Sequence, residues 1–82
     1  MRVNNIDIDD LKAILAWNGI SLREYEYIKD YKGRKNTFIV NVLSARYMLF
    51  DSAFCKANLY YEVERGFESE FTVFLIERRK RI

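Results

Sequence analysis

The sequence predicts a small single α+β domain spanning residues 1–82, with an antiparallel sheet of about four strands packed on one or two helices. Three observations lead there. An amphipathic helix signature opens the chain, and two later segments each read strand, glycine turn, strand, making two hairpins. Half of the residues are hydrophobic and 16% are aromatic, which is enough material for a core. The one cysteine cannot close an intramolecular disulfide, so the core must hold the fold alone or with a second subunit.

The helix is expected over residues 8–18. Asp7 is placed to cap it, and Asp9 and Asp10 fall in the first turn, where the amide end of a helix favours negative charge. Ile8, Leu11, Ile14 and Leu15 recur at a 3.6-residue period. Gly19 then suits the left-handed position after the helix, with Ile20 folding back onto Leu15.

Ser21 to Ile28 alternates as a strand does, Asp30 to Asn36 is a polar break, and Thr37 to Leu43 is rich in β-branched and aromatic residues. Phe38, Val40 and Val42 share one face of that second strand. The last third repeats the theme: Leu59–Glu64 and Phe71–Ile76 flank Arg65-Gly66-Phe67. The unbroken apolar run Val73 to Ile76 suits a strand covered on both faces or by a partner.

Residues 44–57 read two ways. As a helix capped by Ser44, they align Tyr47, Phe50, Phe54 and Ala57 on one stripe; as a strand, Arg46 to Phe50 extend the sheet. Length and three alanines favour the helix. The chain then runs helix–hairpin–helix–hairpin, a pseudo-repeat of about 40 residues in architecture. The helix 1 stripe of Leu11, Ile14 and Leu15 should meet Phe38, Val40, Val42, Val73 and Leu75 in the core.

Composition argues against an enzyme. With no histidine, the commonest acid–base group near neutral pH is missing. Cys55 lies in the apolar stretch Ala53-Phe54-Cys55 and reads as a buried structural thiol. Asp7, Asp9 and Asp10 lack the loop and glycine of a calcium site, and the three glycines stand singly at turns, so no phosphate loop is present. No catalytic residue, metal site or cofactor is expected. The polar, acidic start and the absence of an apolar run of membrane-spanning length place the protein, as an expectation, in the cytoplasm and away from membranes.

Net charge is only +2, but charge comes in blocks of alternating sign. The second hairpin gathers Tyr60, Tyr61, Glu62, Glu64, Phe67, Glu68 and Glu70, an aromatic and acidic arm fitted to a basic protein partner. Trp17 lies beside the helix 1 stripe and is expected to be partly exposed, as an interface anchor. These residues make protein binding the leading expectation. In size, aromatic content and chemical bareness the chain is similar in type to accessory proteins of phages and other mobile elements. That likeness implies a module that occupies and inhibits a host protein.

Two alternatives stand beside it. The first hairpin interleaves Tyr25, Tyr27 and Tyr31 with Lys29, Lys32, Arg34 and Lys35, and Arg78, Arg79, Lys80 and Arg81 follow at the far end. Aromatic faces with cations are how sheet-based readers hold single-stranded DNA or RNA. The other alternative is a structural subunit with the Val73–Ile76 strand at the contact. Edge strands without proline also admit a homodimer.

Overall fold

The computed structural model describes residues 7–78, leaving aside the side chains of residues 77 and 78. Two helices and four strands follow in the order α1 (Ile8–Trp17), β1 (Tyr25–Tyr31), β2 (Arg34–Asn41), α2 (Ser44–Lys56), β3 (Leu59–Arg65) and β4 (Glu70–Arg78). The strands form one antiparallel sheet in the order β1-β2-β4-β3, so each hairpin is intact and the two join through β2 and β4. Both helices lie on one face. The fold is α+β, and the helix–hairpin unit occurs twice.

Local chemistry explains the elements. Asp7 caps α1 by accepting the Asp10 amide at 3.1 Å. At the other end Gly19 takes φ +81, with the Gly19 amide on the Ala16 carbonyl and the Ile20 amide on Leu15. That is the double closure expected from a glycine after a helix. Residues 44–57 are helical up to Lys56, and the cap falls one residue earlier than Ser44. Leu43 occupies the cap position without a side-chain bond, and the Ser44 hydroxyl instead accepts from Arg65 at 3.1 Å.

The strand limits also move. Residues 21–24 are turn rather than strand, because Glu24 bends back to accept the Ser21 amide. The polar break shrinks to Lys32-Gly33, both at positive φ, in a two-residue turn between paired Tyr31 and Arg34. In β4, Ile76 is the extra residue of a bulge, since Tyr60 pairs with Glu77 and Tyr61 with Leu75.

The core lies between the sheet and the helices. Leu11 and Leu15 from α1, and Phe50, Ala53 and Phe54 from α2, close over Phe38, Val40, Phe71, Val73 and Leu75. Phe38 is fully buried at the centre, with the rings of Tyr25, Tyr27 and Phe54 at centroid distances of 5.5, 5.2 and 5.9 Å. Cys55 is exposed, not buried. Its neighbour Phe54 points into the core, and one helical step turns Cys55 about 100° away. The Val73–Ile76 run belongs to a central strand: Val73 and Leu75 lie under the helices, Phe74 is buried from the other side, and only Ile76 is exposed.

Tyr47 stacks on Phe71 at 4.3 Å, and its hydroxyl is buried without a hydrogen-bond partner. Burial, helped by the charge of Asp51, pushes its pKa up to about 12. Tyr47→Phe keeps the stacking and removes an unpaired polar atom. It should raise stability by about 1 kcal/mol in urea denaturation, whereas a loss of that size would show that the hydroxyl is bonded in solution.

Candidate functional site

The acidic arm and the basic hairpin sit side by side in the sheet, and they neutralise part of one another. Asn36 takes a left-handed backbone, φ +55, and Arg34 leaves the regular alternation of β2. Its guanidinium rests 4.0 Å from the Phe74 ring centroid and pairs with Glu62 at 3.0 Å. Lys35 pairs with Asp30 at 3.2 Å, and the Asp30 carboxylate also accepts the Gly33 amide at 3.1 Å. Two of the four cations in the hairpin cluster are thus engaged with carboxylates.

The tyrosines of the first hairpin are engaged as well. Tyr25 is buried against Phe38 and Phe50 and presents no face to a base. Tyr27 is half-buried, its hydroxyl bonded to Asn36 and its ring covered by the Lys12 ammonium at 5.5 Å. Tyr31 carries the Lys32 ammonium at 5.2 Å. Lys29 is exposed on the edge strand. The side chain of Arg78, and Arg79, Lys80 and Arg81, lie outside the described residues.

The acidic arm divides between the two faces of the sheet. Tyr61 turns inward, partly buried, and packs on Phe54 at 5.1 Å against the core. Tyr60, Glu62 and Glu64 are exposed on the opposite, helix-free face, with Glu70 at the end of that face on β4. Phe67 projects from the hairpin tip, 85% exposed. Trp17 is 83% exposed but sits at the end of α1, in the helix layer, and is not brought onto the acidic face.

The tip contains what the sequence reading missed. Gly66 donates its amide to Glu70 at 2.8 Å, and the Glu70 amide returns to Phe67 at 3.2 Å. This turn forces Glu68 to φ +58, a conformation that glycine would adopt more easily. The tip is tied to the other half of the molecule. The Val42 amide donates to Ser69 at 3.0 Å, and the Ser69 hydroxyl donates to Asn41 at 2.8 Å. Leu43, 75% exposed, therefore lies beside Glu68 and Ser69, and with Ser44 they line a shallow cleft of about 330 Å³. The signal for Leu43 was an apolar residue directly before a helix, which the sequence reading assigned to a strand.

A second tie fixes this end of the molecule. Arg46 from α2 makes two bonds to Glu24, of 2.6 and 2.9 Å, and a third to the Gly19 carbonyl. The hydrogen bond from Arg46, then the Ser21 amide, hold the Glu24 pKa down to about 2. Among the described residues no cluster of acidic or sulfur groups is placed to hold a metal ion, and no helix is long and apolar enough to cross a membrane.

No protein-family model matches this chain, no curated protein matches it, and no solved structure matches it.

Two predictions follow from this geometry. Because Glu24 titrates lower folded than its ordinary 4.5, its contribution is complete above about pH 4.5 and is lost as pH falls toward 2. Glu24→Gln should therefore lose less stability than the parent over that window in denaturant midpoints, and parallel curves would refute the clamp. Glu68→Gly should raise stability by about 1 kcal/mol, because it relieves a left-handed backbone; destabilisation would mean that the Glu68 side chain supports the turn.

Proposed function

We propose that this chain is a non-enzymatic protein-binding module that acts by occupying a partner through its acidic second hairpin. The observation that carries this reading is Phe67: a large aromatic held 85% exposed on a tip whose next residue is conformationally strained. Strain of this kind persists where surrounding structure over-determines it, and it concentrates at functional sites. Leu43 lies beside Glu68 in the adjoining cleft, where Arg65 bonds Ser44, and Glu64 and Glu70 are exposed on the strands that carry the tip. An aromatic anchor inside a charged rim is the usual layout of an interface centre. The rim charge selects a basic partner and speeds its approach.

The nucleic-acid alternative gains no comparable support. The stacking faces it needs on Tyr25 and Tyr27 are turned toward the helices, and Arg34 and Lys35 are committed to carboxylates.

Affinity capture from nuclease-treated lysate, comparing the parent with Phe67→Ala and with Glu64→Lys/Glu68→Lys/Glu70→Lys, tests the reading. One protein recovered at near-equal stoichiometry by the parent, and lost by at least about tenfold in both variants, is the expected result. Equal recovery by all three would show that the tip is not the site.

A further inference from the structure

We infer that Asn18 is a latent self-modification site: the fold holds the Asn18–Gly19 pair closed, and opening of this end of α1 commits Asn18 to conversion into aspartate or isoaspartate. The site ends α1 and owes nothing to the protein-binding reading above.

The sequence supplies the chemistry. Of the six asparagines in the chain, only Asn18 precedes a glycine. In the reaction, the backbone nitrogen of the following residue attacks the side-chain carbon Cγ. A bulky or β-branched neighbour hinders that approach, as at Asn36-Thr37, Asn41-Val42 and Asn58-Leu59. Glycine has no side chain and the freest backbone. The Gly19 nitrogen bonds to Cγ, and its proton passes through water to Nδ2, which leaves as ammonia when the Cγ–Nδ2 bond breaks. One water then opens the cyclic imide at either carbonyl. Opening one way gives aspartate; opening the other routes the chain through Cγ and gives isoaspartate. Water is the only co-reactant.

In the folded chain every participant is occupied. The Asn18 Nδ2 donates to the Ile14 carbonyl at 2.7 Å, and Oδ1 accepts from the Lys56 ammonium at 3.1 Å. A carbonyl at one end and an ammonium at the other fix the orientation of the amide. The attacking nitrogen is held too, because the Gly19 amide donates to the Ala16 carbonyl at 2.9 Å. It points back along α1, with Asn18 at φ −89 and ψ 10, and not toward its neighbour's side chain. Attack on Cγ therefore requires the closure of α1 and the tie to α2 to open together.

Conversion weakens the closure that delayed it. A carboxylate at position 18 has no donor for the Ile14 carbonyl. It also puts negative charge at the carbonyl end of α1, where negative charge is unfavourable, and an exposed Lys56 offsets this only in part. Isoaspartate further adds a carbon to the main chain just before Gly19. That displaces Ile20, 4% exposed in the core, from its bond to the Leu15 carbonyl. Converted chains open more often, and the change accumulates as a mark of time spent open.

The test incubates the full chain at mildly alkaline pH with and without urea and follows Asn18 by peptide mapping and mass spectrometry. Conversion should be at least about tenfold slower without urea. Lys56→Met changes an exposed residue and frees Oδ1. It should speed conversion of the folded chain by about threefold or more and leave the rate in urea unchanged. Asn18→Asp, which supplies the product directly, should lower the ratio of folded to unfolded chains by about fivefold or more in denaturant titration. Four results would each overturn the inference: equal conversion with and without urea, no conversion in urea, an unaltered folded rate in Lys56→Met, or an Asn18→Asp variant as stable as the parent.

Discussion

The antiparallel pairing of β2 with β4 is the constraint on which the rest of the molecule depends. A lone hairpin is marginal in water, and neither helix–hairpin half contains enough apolar surface to close a core by itself. The pairing sets Phe38 directly opposite Val73 and Val40 opposite Phe71, which makes one continuous floor for both helices. A slip of β2 by one residue against β4 would turn Phe38 to solvent and bring Thr37 under the helices, taking Phe38 away from Val73. The register is therefore specified by burial, and Phe38, touched by rings from β1 and α2, is where the specification is strongest.

The same pairing explains the charges. Taken as a string, the chain alternates acidic and basic blocks; folded, β2 and β4 bring the basic hairpin alongside the acidic one. Arg34 spans from β2 across Phe74 on β4 to Glu62 on β3, three strands in one contact. Exposed ion pairs of this kind add little stability. Their consequence is electrostatic: they neutralise Arg34 and Lys35 locally and, among the described residues, leave Glu26, Glu64 and Glu70 exposed on the helix-free face. The proposal of binding through the acidic side draws on this: Arg34 and Lys35, half of the basic hairpin cluster, already pair with carboxylates within the fold.

Much of the fold was legible in the sequence. The Asp7 cap, the Gly19 closure, the α1 stripe and both hairpins rest on local chemistry and periodicity, which a short window contains. What was not legible depends on the third dimension. Cys55 and Tyr61 each neighbour a residue of opposite facing, and one step of register decides which is buried. Tyr25 and Tyr27 share a face, as their spacing requires, but the side on which α1 and α2 would land is not written in that spacing. The shift at Ser21–Glu24 came from Arg46, twenty-two positions downstream of Glu24, holding a carboxylate that bends the loop. Of the candidate site, its acidity and its aromatics could be read directly; Leu43 and the strain at Glu68 could not, because both arise where the β3–β4 tip meets the β2–α2 junction.

Native-state amide hydrogen exchange measures the central claim most directly. If the two halves are one cooperative unit built on β2 and β4, the slowest amides lie in Thr37–Val40 and Phe71–Phe74, and they exchange only through global unfolding. Slowest exchange confined to one hairpin, with the other opening independently, would contradict the account.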